Sequence, residues 1–182
     1  MKKTLMVLAL GLASSTAFAD ERGQILFKGN INGGTTCPIE IVIPGGPGPI
    51  GAVDLENYSV KYFAANATTP DIAFALRVDA DDATCTIPPG YNAKVTFDSL
   101  NGDAGASGEY YAIRDSRRGL AVALKDDAYA PIPPRTASKD YPVASTGVTD
   151  LRFYGSYVRT GGAGTVTEGS ANADVNFSIT LP

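Results

Sequence analysis

The sequence predicts an all-β domain of the sandwich type, and three observations carry that prediction. Val, Ile, Thr and Tyr recur in short runs of alternating polarity, the pattern of half-buried strands. Clusters of Gly, Pro, Asn and Asp interrupt these runs at close intervals, as turns do between neighbouring strands. No internal repeat, heptad or long stretch of helical period is present, and many short strands with regular turn signals read as a sandwich of the immunoglobulin type.

In chain order, Ile25 to Ile31 is the first expected strand, followed by Ile39 to Ile43, which stops at the loop Pro44-Gly45-Gly46-Pro47-Gly48-Pro49. Tyr58 to Phe63 is read as a strand, with room for one helical turn around Ala64 to Thr68. Ile72 to Val78 places Ile72, Phe74, Leu76 and Val78 on one face and Ala73, Ala75 and Arg77 on the other. Ala93 to Phe97 precedes a glycine-rich loop over 101–108, and Tyr110 to Arg114, Leu120 to Leu124 and Leu151 to Val158 complete the middle. Pro131-Ile132-Pro133-Pro134 cannot sit in a central strand, because proline has no N–H to give to a ladder.

The first nineteen residues read as an export signal. Lys2 and Lys3 form a positive start, Leu5 to Leu12 is an apolar run too short to span a bilayer, and Ala17-Phe18-Ala19 offers small residues for cleavage. The organisation expected is therefore a cleaved signal peptide over 1–19, an N-terminal extension over 20–33 and one domain over 34–182. No later segment has the apolar length of a membrane helix. The formal charge of −4 becomes −6 without Lys2 and Lys3, which argues against nucleic acid and anionic membranes as partners.

Cys37 and Cys85 are the two cysteines. In an exported chain an even pair reads as a disulfide, and a loop of that length restricts the unfolded chain by about 4 kcal/mol. With no histidine and no third cysteine, a zinc site lacks soft ligands.

Two segments stand out. Ala173, Val175, Phe177, Ile179 and Leu181 alternate with Asp174, Asn176, Ser178 and Thr180, so this strand buries one face and wets the other. No strand follows it in sequence to pair with its far edge, and an unpaired edge is a hazard that must be managed. At the other end, Ile25, Phe27, Gly29 and Ile31 alternate with Leu26, Lys28 and Asn30 behind the charged lead Asp20-Glu21-Arg22. Glycine inside a strand is unfavourable unless something must approach closely. Such a segment suits insertion into a groove, where ladder hydrogen bonds give affinity and alternate side chains give register.

The segment Gly23 to Ile31 followed by Cys37, the second cysteine Cys85, and the ending from Phe153-Tyr154-Gly155-Ser156-Tyr157 through Gly169 to Phe177 together resemble pilins of the chaperone–usher (type 1-like) fimbrial family. The likeness runs from end to end of the exported chain. Gly169 is the fourteenth residue from the C-terminus, where such pilins carry a glycine. The resemblance implies an incomplete immunoglobulin-like β-sandwich lacking its last strand, completed by donor-strand exchange. It implies a periplasmic chaperone that lends a strand, an outer-membrane usher, and neighbouring pilin subunits as partners in a homo- or hetero-polymer. By the same likeness Ile25, Phe27, Gly29 and Ile31 are donor positions, and Gly169, Val175, Phe177, Ile179 and Leu181 belong to the groove strand that the chaperone grips. The family usually carries an aromatic as its penultimate residue, where this chain has Leu181, and the Pro44–Pro49 loop is longer than usual.

Other constellations read more simply as structure. Asp79, Asp81, Asp82 and the pair Asp126-Asp127 lack the glycine and terminal glutamate of a calcium loop and read as solvated turns. Tyr58 with Tyr62, and Tyr110 with Tyr111, read as packing aromatics before they read as a sugar platform. Arg117-Arg118 before Gly119 reads as a turn. Without histidine the common general base and the Ser-His-Asp arrangement are absent, so no enzyme activity, cofactor or metal is expected. The expectation is a shaft-type fimbrial subunit at the cell surface, supporting adhesion. The rival reading is a secreted, monomeric carbohydrate-binding β-sandwich.

Overall fold

A computed structural model describes residues 24–31, 37–115 and 118–180, the first of these segments by its backbone. The signal segment, Arg117, Leu181 and Pro182 lie outside the described residues.

Two β-sheets face one another. The described strands are β1 (Gln24–Ile31), β2 (Ile39–Val42), β3 (Val53–Asp54), β4 (Ile72–Asp79), β5 (Asn92–Ser99), β6 (Asp103–Ala104), β7 (Tyr110–Ala112), β8 (Leu120–Asp126), β9 (Tyr141–Pro142), β10 (Val148–Arg159) and β11 (Ala173–Thr180), with one short helix, α1 (Val60–Ala65). One sheet has the order β3-β1-β11-β5-β9 and the other β2-β4-β10-β8-β7-β6. All described pairings are antiparallel except β1 with β11, which is parallel.

The strands form where period-two apolar runs present one face inward. Phe74, Leu76 and Val78 of β4, Val95 and Phe97 of β5, and Ala173, Val175, Phe177 and Ile179 of β11 are buried between the sheets. Phe74, Phe97 and Phe153 lie with ring centroids 5.0–6.5 Å apart, which fastens sheet to sheet through edge and tilted contacts. Cys37 and Cys85 are joined, with their Cα atoms 4.2 Å apart. The bond ties the approach to β2 to the loop after β4.

Tyr58 to Phe63 is not the strand that its alternation predicts: Val60–Ala65 is helical. The Ser59 hydroxyl accepts the Tyr62 N–H at 3.2 Å and caps the helix, satisfying an amide that a helix start leaves open. Val60 and Phe63, three apart, then share one face; Phe63 is buried and Val60 packs against the core. The helical turn lies a few residues earlier than Ala64 to Thr68. The Pro131–Pro134 segment is a loop that meets β8 at a bridge between Lys125 and Pro131, where Ile132 N–H donates to Leu124 C=O at 2.9 Å.

The sandwich has two poles. At one, Arg114 N–H donates to Asn172 C=O (2.7 Å) just before β11, and Thr160 N–H donates to Gly119 C=O (3.0 Å). β8 begins there, β10 ends there, and β2 ends there through its pairing with β4. Cys37 and the start of β2 lie at the opposite pole, with Asp79, Val148 and the end of β11.

Candidate functional site

The feature that sets this sandwich apart is the slot between β3 and β11, which β1 fills. β11 is paired along its inner edge with β5, from Val175 opposite Ser99 to Thr180 opposite Lys94. Among the described residues its outer edge is covered only by β1, with Ile25, Phe27, Gly29 and Ile31 opposite Ala173, Val175, Phe177 and Ile179. The four N-terminal positions singled out by alternation thus stand opposite the four β11 positions buried in the core. On its other side β1 meets β3 at Gln24 and Ile25 alone. From Leu26 onward the described ladder of β1 is made to β11 and nothing else, so a single strand edge holds it.

In the structure β1 belongs to the chain's own sheet. Removing it would open seven register positions of β11 and uncover core positions from Ala173 to Ile179. Exposed strand edges beside apolar surface are sites of strand addition, and an edge of β11 bared in this way would be of that kind. Gly169 precedes β11 with φ +135, a conformation that disfavours any side chain. A Cβ there would also run into the Arg118 guanidinium, whose Nη1 donates to the Glu168 carbonyl. Leu181, the last expected member of the groove strand, lies outside the described residues.

Polar groups around the slot hold the frame. Arg114 donates through two nitrogens to both carboxylate oxygens of Asp174, each at 2.6 Å, fixing the start of β11; this hydrogen-bonded partner raises the Arg114 pKa. In the opposite sheet Arg77 donates to both oxygens of Asp150 at 2.7 and 2.9 Å and to Gly46 C=O at 3.1 Å. Gly45 N–H donates to Asp150 as well. The Arg77 guanidinium beside it holds the Asp150 carboxyl below the usual carboxylate range. The loop after β2, which folds back with Ile50 N–H on Ile41 C=O at 2.7 Å, is thereby pinned to β4 and β10.

The remaining sequence candidates take structural roles. Asp82 accepts from the N–H and hydroxyl of Thr84 at 2.8 and 2.6 Å, and Asp126 accepts from Ala128 and Ala130 N–H, each at 2.8 Å. Both are turn carboxylates. Among the described residues no group of three or more His, Cys, Asp and Glu is placed to hold a metal ion. Tyr111 is buried and its hydroxyl donates to Ile132 C=O at 3.0 Å, a core position. Tyr58 and Tyr62, centroids 4.8 Å apart, lean on each other and on Phe63. Burial, helped by its hydrogen bond to Glu56, pushes the Tyr58 pKa up to about 12.

Sequence reasoning found both strands of the slot but not β3, the two-residue strand that marks its other side. Two residues carry no periodicity to read.

A family model described as fimbrial protein matches residues 25–181, and the chain belongs to that family. It is a structural subunit of a surface fimbrium, and family membership gives it no catalytic role. No curated protein matches it by sequence. Among solved structures it is similar to the P pilus rod subunit PapA, at 16% identity and TM-score 0.59, covering 80% of this chain and 99% of that one. A chaperone–usher pilus studied for rod uncoiling gives 14% identity and TM-score 0.60, covering 90% and 98%. The CupB6 tip adhesin of Pseudomonas aeruginosa gives 14% identity and TM-score 0.51, covering 88% of this chain and 40% of that one. At these identities the likeness speaks for the immunoglobulin-like pilin fold.

Proposed function

We propose that β1 is an exchangeable donor strand, and that the chain polymerises by giving it to a neighbouring subunit and accepting another in the slot between β3 and β11. The single observation that carries this reading is the ladder of β1. It fills the outer edge of β11 over seven register positions, yet apart from two pairs with β3 it has no other described strand partner. An element with that attachment can be replaced by an equivalent strand from elsewhere without disturbing the remaining pairings. Residues 20–33 form the exchanged extension and residues 34–182 the acceptor domain. Gly29 opposite Phe177 leaves room at the bulkiest position of the groove wall, while Ile25, Phe27 and Ile31 supply apolar positions on either side.

Before assembly an open slot would present both a sheet edge and core positions to solvent. A periplasmic chaperone that lends a strand along Val175, Phe177 and Ile179 would cover it, and an outer-membrane usher would be the place of exchange during export. Strand insertion satisfies a whole edge at once, so the filament persists kinetically and supports attachment of the cell. A shaft-type position in the filament suits a sandwich of this length. Nothing in the tyrosine geometry favours the carbohydrate-binding alternative, since Tyr111 is a core residue and Tyr58 and Tyr62 pack around α1.

The test is electron microscopy of cells producing the chain with its cognate chaperone and usher, with and without residues 20–31. The expected result is filaments only from the complete chain, with chaperone complexes recovered from both. Filaments from the shortened chain would overturn the proposal.

A further inference from the structure

Two tyrosines lie stacked against the sheet opposite the one that holds β1. The Tyr129 and Tyr154 ring centroids are 4.4 Å apart and their planes differ by 17°. Tyr129 is 57% exposed, so a soluble oxidant can reach it. We infer that this pair is a site of oxidative coupling, at which a peroxide-driven one-electron oxidant joins the two rings of one chain through a carbon–carbon bond. The inference stands apart from strand exchange, because β8 and β10 belong to the sheet across from the slot.

Each ring is set by its own element. Phe153 is buried in the core, so strand alternation turns Tyr154 of β10 to the other face, where it stands opposite Lys125 near the end of β8. The chain then turns back over 126–130. The buried Asp126 carboxylate accepts the N–H groups of Ala128 and Ala130, each at 2.8 Å. Asp126 N–H donates to Ala130 C=O at 2.9 Å, and Tyr129 N–H donates to Asp126 C=O at 3.0 Å. Tyr129 itself sits at φ +62, a left-handed conformation that a tyrosine keeps only where its surroundings dictate it. A fixed turn therefore places the Tyr129 ring on Tyr154.

The hydroxyl ends lie together as well. Side-chain hydrogen bonding with Tyr129 is the largest cause raising the Tyr154 pKa. With the rings nearly parallel, the Cε carbons that flank each hydroxyl carbon then face one another across the stack, and these are the carbons at which phenoxyl radicals couple. Tyr58 and Tyr62, the other close tyrosine pair among the described residues, lack this arrangement. Their rings are inclined by 49°, and their hydroxyls donate apart, to Glu56 and to Thr68 C=O. Tyr111 and Tyr141 commit their hydroxyls to Ile132 C=O and Arg152 C=O.

In the coupling each phenol gives one electron and its hydroxyl proton to the oxidant. The two radicals form one Cε–Cε bond, and each Cε proton leaves as the phenolic oxygen regains one. Two hydrogen atoms are lost in all, and hydrogen peroxide takes them up to give two waters. A surface fimbrium lies outside the reducing cytosol, where such an oxidant persists. The new bond ties the turn at 126–130 to β10 and leaves the slot untouched.

The test is treatment of the purified exported chain with hydrogen peroxide and a haem peroxidase, followed by trypsin digestion and mass mapping. The expected product is peptide 126–135 joined to peptide 153–159, two hydrogen atoms lighter than their sum, with the blue fluorescence of a coupled bisphenol. Y129F and Y154F should each lower its yield at least about tenfold, because rings held in place couple at an effective molarity that free collision does not reach. Y58F and Y62F should leave the yield unchanged. Retention of the 37–85 bond and of the parent's melting temperature reports that the variants fold. No 129–154 link in the folded parent, an undiminished link in either of the first two variants, or links spread evenly over several tyrosines would overturn the inference. In a mixture of isotope-labelled and unlabelled chains, the joined peptides should be wholly labelled or wholly unlabelled; mixed pairs would overturn the assignment to one chain. In concentrated urea the link should become rare as the turn is lost, and an undiminished yield would overturn the role given to the fold.

Discussion

Gly155 lies within β10, opposite Ile72 of β4 and Leu124 of β8. A Cβ at that position would meet Leu55 Cδ2 at 3.3 Å and Leu124 Cδ2 at 3.6 Å, and both leucines are buried. A side chain here therefore requires Leu55 to give way. Gly155→Val is expected to cost about 1–3 kcal/mol through overpacking, read as a lower urea midpoint with an unchanged m-value. Arg77 and Asp150 make a second test at this scale. Arg77 lowers the folded pKa of Asp150 beneath its unfolded value, so the unfolded chain binds the proton more readily. The stabilisation is complete above the ordinary carboxylate range and is lost as the pH falls through the lowered folded pKa. Asp150→Asn should melt lower than the parent at neutral pH, and the gap between them should narrow on acidification, measured by thermal scans across that range. A gap that widens in acid would contradict the pairing. Of this residue-scale detail, the sequence showed Arg77 on the polar face of its strand but not its partner, since 73 residues separate it from Asp150.

Among the elements, β4, β5, β8, β10 and β11 were legible because each is long enough to repeat the two-residue period several times. β3, β6 and β9, of two residues each, had no such signal. Tyr58 to Phe63 misled because aromatics and a β-branched valine favour strands on average. The Ser59 cap, together with burial of Phe63 and packing of Val60, overrode that preference locally. β1 was legible as a strand, but its direction was not: alternation fixes which residues share a face and is the same read forwards or backwards. Gly29 carries the prediction for this scale. It stands opposite Phe177, so Gly29→Leu should strongly reduce filament yield by electron microscopy while chaperone complexes, in which another protein's strand fills the slot, remain intact. Normal filaments from that variant would contradict the register.

Over the whole molecule, the sandwich divides into a frame and the strand β1, which we propose is exchangeable. The frame is tied by the Phe74, Phe97 and Phe153 cluster between the sheets, by the paired ions at Asp150 and Asp174, and by the Cys37–Cys85 bond. The last restricts the unfolded chain by about 4 kcal/mol. What the frame lacks is a strand along the outer edge of β11, and without it the buried residues from Ala173 to Ile179 lose their cover. The central claim is that this strand is necessary to the fold and interchangeable in its source. Its most direct measurement is thermal unfolding of the exported chain lacking residues 20–31, with and without a peptide spanning Gly23 to Ile31. The account predicts no cooperative transition for the shortened chain alone and a cooperative, peptide-dependent transition once the peptide is added. A stable, soluble monomer that unfolds cooperatively without the peptide would contradict it.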